Sequence, residues 1–142
     1  MGRIKIDFPE VVLFSTEMPI RISDINYGGH LGNDAVLAIV HEARLRALKE
    51  KGFSELDVGG TGLIMADAAV VYRSEAFHGE TLVVDVALVE LSKYGFDFVY
   101  RLRDKATARD VAFAKTGMVF FDYSLKRISK TPDAFKTAFS LH

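Results

Sequence analysis

An α+β domain, one long helix packed on a mainly antiparallel sheet of five or six strands, is what the sequence predicts. Three observations predict it. Only one long segment, "DAVLAIVHEARLRALKEKG", carries sustained helical periodicity. Segments rich in β-branched and aromatic residues lie on both sides of it, four of them following in quick succession. No linker, repeat or low-complexity stretch divides the 142 residues, so a single domain, 1–142, is expected around one core.

The first element is an extended stretch, "VVLFSTEMPIRIS". There Met18, Ile20 and Ile22 alternate with Pro19, Arg21 and Ser23, the period of a half-buried strand. Pro19 cannot donate to a ladder and belongs at an edge or bulge. The period then changes. Val36, Ile39, Val40, Ala43, Ala47 and Leu48 form one helical stripe. Asn33 is the expected N-cap, with Asp34 at the positive end of the dipole and Lys49 and Lys51 at the negative end. Gly52 follows as the C′ residue that stops the helix.

"LIMADAAVVYR" and "TLVVDVALVEL" read as strands joined by the polar "SEAFHGE". "FDFVYRLR" alternates Phe96, Phe98, Tyr100 and Leu102 with Asp97, Val99, Arg101 and Arg103, and "DKATARD" turns the chain into "VAFAKTGMVFFDY". Four strands in a meander imply antiparallel pairing. "TPDAFKTAF" places Pro132 at a helix start and Phe135 and Phe139 at i, i+4 spacing.

Composition narrows the function. Eighteen basic and nineteen acidic residues give a net charge of −1, without the basic excess of a nucleic-acid binder. No apolar run approaches the ~20 residues of a membrane span, and the start, "MGRIKIDFPE", lacks a signal-peptide core. Absence of cysteine removes disulfides, thiolate metal sites and cysteine nucleophiles, and fits a cytoplasmic protein. His30, His41, His78 and His142 show no ligand spacing, so no metal is expected. Neither a phosphate-binding P-loop nor a G-x-S-x-G elbow is present. "VGGTG", 58–62, precedes a strand and is read as a connection near the pocket mouth.

The densest polar cluster is "SDINYGGHLGND", at the junction of the first strand and the helix. With the "HEAR" inside that helix, it resembles the hotdog-fold thioesterases of the hydroxybenzoyl-CoA thioesterase-like branch, whose pattern here is about D-x-D-x-x-G-H-V-N-N followed by E-A-R. Asp24 matches the first aspartate, Gly29 the glycine, His30 the histidine, Leu31 the valine, Asn33 the second asparagine, and Glu42–Arg44 the helix signature. "VVYRSEAFHGETLVV" is similar to the next family strand, with Phe77 where proline is common. Two positions depart: Asn26 replaces the reactive aspartate, and Gly32 the first of the paired asparagines.

The resemblance implies a long helix wrapped by the sheet, hydrolysis of an acyl-CoA or acyl-carrier thioester, no cofactor, and a homodimer or homotetramer with sites between subunits. By the family match, N–H groups around Leu31 to Asn33 would hold the oxyanion, and Gly28, Gly29 and Gly32 would admit the ligand close to the backbone. Tyr27, Gly29, Leu31, Asn33 and Glu42 form the expected substrate-binding set. Asn26 has two readings of equal weight, an Asx-type turn or a donor that positions carbonyl or water, since an amide is neither base nor nucleophile. His30 is suited to proton transfer, although the resembling enzymes mostly use it to shape the loop. Three carboxylates could replace the missing aspartate: Asp34 at the helix start, Asp67 interrupting an apolar strand, and, ranked below them, Glu42 two turns along the helix. Loss of the aspartate also fits a non-catalytic acyl-CoA binding module, and the fold can host a hydratase or dehydratase.

Overall fold

The computed structural model describes residues 2–139, so His142 lies outside the described residues. Six strands form one antiparallel sheet: β1 (Phe14–Pro19), β2 (Gly62–Tyr72), β3 (Thr81–Val89), β4 (Gly95–Asp104), β5 (Asp110–Asp122) and β6 (Arg127–Ile128). The helix α1 (Asn33–Glu50) lies across it, and a short α2 (Asp133–Ala138) closes one end. This is the hotdog arrangement.

Strand order is β1-β3-β4-β5-β2, with the short β6 paired to the end of β5. The expected four-strand meander is therefore only three strands long. β2 does not neighbour β3; it crosses to the far edge and pairs with β5, so "SEAFHGE" is a crossover and not a hairpin. Both β2 and β3 suit any position on chemistry alone. The long pairing of Gly62–Tyr72 with β5 decides between them.

The helical stripe is buried as expected, with Val36, Val40, Ala43 and Leu48 at 1% exposure or less. They meet the even-numbered residues of β4 and β5: Phe96, Phe98, Tyr100, Leu102, Ala112, Ala114, Met118 and Phe120. Arg44 is buried with them, which periodicity did not anticipate. Its Nε donates to Glu55 at 3.1 Å and its Nη1 to the Tyr100 hydroxyl at 3.4 Å, and Tyr100 in turn bonds Thr116 at 2.8 Å. A buried guanidinium requires such partners.

The ends of α1 differ from expectation at one side only. Gly32, and not Asn33, is the N-cap, and no side chain caps the helix there. At the other end Gly52 has φ +82°, its N–H donates to the Lys49 carbonyl and that of Phe53 to the Leu48 carbonyl. That is a Schellman closure. Ile22 also departs from the strand pattern, because the chain turns into a 3₁₀ segment at Ile22–Asp24 and leaves it exposed.

The two sheet edges are unlike. β1 is short, ends at Pro19, and is overlaid by Arg46, which donates to the Thr16 hydroxyl and the Glu17 carbonyl. β2 runs eleven residues with its central positions 64–68 exposed. The chain before β1 passes over the sheet face turned away from α1, where Ile6, Phe8 and Val12 line a cavity of about 450 Å3 with Arg101 and Phe113. The glycine-rich 58–62 turn packs against Pro132 and Ala134 beside α2, away from the 24–34 loop, so it does not border the site.

Candidate active-site groove at the start of the central helix

The polar cluster folds as a small closed loop. An isolated bridge joins Ile25 to Leu31, and the Asn26 N–H donates to the His30 carbonyl at 2.8 Å. The Asn26 Oδ1 accepts from the backbone N–H groups of Gly28 (3.0 Å) and His30 (3.2 Å), which is the Asx-turn geometry. Gly29 sits at φ +83°, a conformation that favours glycine. Asp24 is buried, accepts from the Arg21 N–H at 2.8 Å, and lends its carbonyl to the Gly32 N–H. It braces the loop from behind.

A groove of about 600 Å3 opens on this loop, lined by Asn26, Tyr27, His30, Leu31, Asn33 and the chain from Tyr72 to Glu75. Five of the nine expected site residues thus meet on one surface. Tyr27 is fully exposed at its rim. Asp34 adjoins them: a Cβ at position 32 would lie 2.6 Å from the Asp34 Oδ1 and 3.7 Å from the Asn26 Cβ. Glycine at 32 therefore makes room for the Asp34 carboxylate. The Asn26 amide nitrogen remains free to donate, because the oxygen is held by the turn.

Of the backbone donors expected at Leu31 to Asn33, two are already engaged. The Leu31 N–H is taken by the Ala76 carbonyl (2.7 Å) and the Gly32 N–H by the Asp24 carbonyl (2.8 Å). Asn33 and Asp34, as the first two residues of α1, have N–H groups without an intrahelical acceptor. Those two, with the positive end of the helix dipole, are the groups available to an incoming oxygen.

Two candidate carboxylates stand apart. Glu42 pairs with Arg46 at 2.8 Å and lines a separate cavity with Met18, Arg21 and Asp24. Asp67 lies on the sheet face turned away from α1, opposite Gly117, and accepts from Lys115 Nζ at 2.7 Å and the Gly117 N–H at 3.1 Å. The Lys115 hydrogen bond holds its carboxyl below the ordinary aspartate range. Within the described chain it does not reach the groove.

Sequence reasoning missed Glu75 and Tyr72. Glu75 places Oε1 3.0 Å from His30 Nδ1, and His30 also rests against Phe77 with ring centroids 5.4 Å apart. Tyr72 donates its hydroxyl to the Asn33 carbonyl at 3.0 Å. Burial, and then the Asp34 carboxylate, hold its phenol above the ordinary range. The "VVYRSE" stretch carried both residues, but only the crossover brings it to the loop.

The groove brings a helix N-terminus, an amide donor and an adjoining carboxylate together on a hotdog domain. The chain belongs to the thioesterase-like superfamily, whose family model matches residues 20–139. Among solved structures it is similar to a 1,4-dihydroxy-2-naphthoyl-CoA thioesterase from Synechocystis, at 22% identity over 89% of this chain and 95% of that one, with a TM-score of 0.81. A DHNA-CoA thioesterase from Staphylococcus aureus gives 18% identity over 89% and 87%, TM-score 0.78. Another Staphylococcus aureus protein, solved in complex with CoA, gives 15% identity over 94% and 86%, TM-score 0.82. No curated protein sequence matches.

Proposed function

We propose that the protein hydrolyses an acyl-CoA thioester at the groove between the 24–34 loop and Tyr72–Glu75. Support comes from the family, from the thioesterase activity of similar folds, and above all from the convergence of Asp34, Gly32 and Asn26. The two departures from the family motif compensate each other. Where the aspartate became Asn26, the glycine at 32 opens space for a carboxylate supplied by Asp34.

In this mechanism the thioester carbonyl oxygen docks on the N–H groups of Asn33 and Asp34, with the Asn26 amide as a third donor. Asp34 takes a proton from water as the water oxygen bonds to the carbonyl carbon. The negative charge that forms on the carbonyl oxygen is held by the same donors. Collapse breaks the carbon–sulfur bond, and Asp34 returns its proton to the departing thiolate, giving free acid and thiol. Glu75 holds the His30 ring against the loop, so His30 acts as a brace. Tyr27 and Leu31 border the acyl group, with Gly29 closing the loop beneath them.

We also propose a homodimer formed along β2. Positions 64–68 of this long edge are exposed, and Asp67 is its one charged residue. Such an edge ordinarily finds a covering partner. A second reading, acyl-CoA binding without turnover, is favoured by the fixed Asx turn at Asn26, which gives that residue a structural task independent of catalysis.

A thiol-release assay over short, long and aromatic acyl-CoAs separates these readings. Asp34→Asn should lower kcat by about 10²–10⁴-fold, the range for loss of a general base, while Asp67→Ala retains turnover. Loss of turnover in Asp67→Ala alone would transfer the role to Asp67. CoA ester binding by the wild type without any thiol release would establish the binding module.

A further inference from the structure

Three arginines of β4 and of the turn between β4 and β5 are already engaged in ion pairs. Arg101 pairs with Asp110 at 2.8 Å, Arg103 with Asp85 at 3.0 Å, and Arg109 spreads its donors over Glu80, Ser74 and the Glu75 carbonyl. Arg73 is different. Among the described residues it is the one lysine or arginine lining the groove, and no carboxylate pairs with it. Its guanidinium is held 5.4 Å from the Phe113 ring, a cation–π contact that fixes the group without neutralising it.

Position adds to this. Successive residues along a strand direct their side chains to opposite faces. Tyr72 reaches inward to Asn33 at the reacting end, while Arg73 extends onto the outer face beside Phe113. Beyond Phe113 the surface continues into the cavity of about 450 Å3 beneath the N-terminal segment.

Resting on the thioesterase reading, we propose that Arg73, positioned by Phe113, is the phosphate anchor that selects CoA thioesters over thioesters whose thiol arm lacks the nucleotide. Arginine suits this task because its fork of donors matches phosphate oxygens. Arg73 binds the phosphates and touches no reacting atom, so it acts on substrate capture.

The test compares one acyl group, benzoyl, as its CoA thioester and as its pantetheine thioester, with wild type, Arg73→Ala and Arg73→Lys. Arg73→Ala should raise KM for benzoyl-CoA about 10- to 100-fold, the effect of losing a hydrogen bond between charged groups. It should leave kcat unchanged and turnover of benzoyl-pantetheine as in the wild type, and Arg73→Lys should restore part of the loss. Equal effects on both thioesters, or no effect on either, would overturn the assignment. If the wild type prefers another acyl group of the short, long and aromatic panel, the same comparison is made with that group. If it releases thiol from no acyl-CoA of the panel, the thioesterase reading fails and calorimetry with CoA and pantetheine decides for Arg73. The anchor stands if Arg73→Ala weakens CoA alone, and falls if the wild type binds CoA no more tightly than pantetheine.

Discussion

At the scale of residues, the proposed mechanism has Asn26 serve the loop and the reaction through different atoms. Its Oδ1 holds the Gly28 and His30 N–H groups, while its amide nitrogen is directed to neither. Asn26→Ala removes both functions. It should lower kcat about 10- to 100-fold, and the lost turn bonds should cost about 1 kcal/mol of stability. Asn26→Asp keeps an oxygen acceptor for the turn and restores a carboxylate. Its melting temperature should stay close to that of the wild type, with turnover retained or raised. Calorimetric melting and thiol release on the same preparations check the pair. Loss of turnover in both variants would show that the amide itself is required.

Among elements, α1 is fixed at its two ends by different means. Its start is left open, with uncapped N–H groups facing the groove, and its finish is closed by Gly52. A residue with a Cβ is strained at φ +82°, so Gly52→Ala should cost about 1 kcal/mol. In a chain of this length that lowers the melting temperature by roughly 2–4 °C. Turnover at 25 °C should be unchanged, because the substitution lies at the end of α1 remote from the groove. A fall in kcat without a fall in melting temperature would contradict this division of labour. The periodicity of α1 and of β4 was legible because each buries one face in its own period. Arg44 was not legible, since its burial depends on Glu55 and Tyr100, which arrive from other elements.

On the scale of the whole molecule, the exposed edge of β2 argues for pairing with a second copy. Met65, 49% exposed on the face toward α1, is a position where a charge would oppose that pairing without disturbing the core. Met65→Glu should shift the protein from dimer to monomer in sedimentation equilibrium, leave its circular dichroism unchanged, and abolish turnover if sites are completed across the interface. A wild type that sediments as a monomer and still turns over thioesters would refute the dimer. Among the described residues no helix is long and apolar enough to cross a membrane.

The sequence by itself determined the single long helix with its buried stripe, its glycine stop, the strand segments and the place of the polar loop. Each of these is written in local periodicity and in the backbone preferences of glycine and proline. The tertiary structure alone decided that β2 crosses to the far edge, and with it that Tyr72, Arg73 and Glu75 border the loop while Asp67 faces away. It also placed the Asp34 carboxylate against Gly32, and left the N–H groups of Asn33 and Asp34 without an intrahelical acceptor. These are contacts between segments distant in the chain or between the atoms of a closed loop. They depend on which strands pair and which donors are already occupied, and neither is encoded in the spacing of residue types.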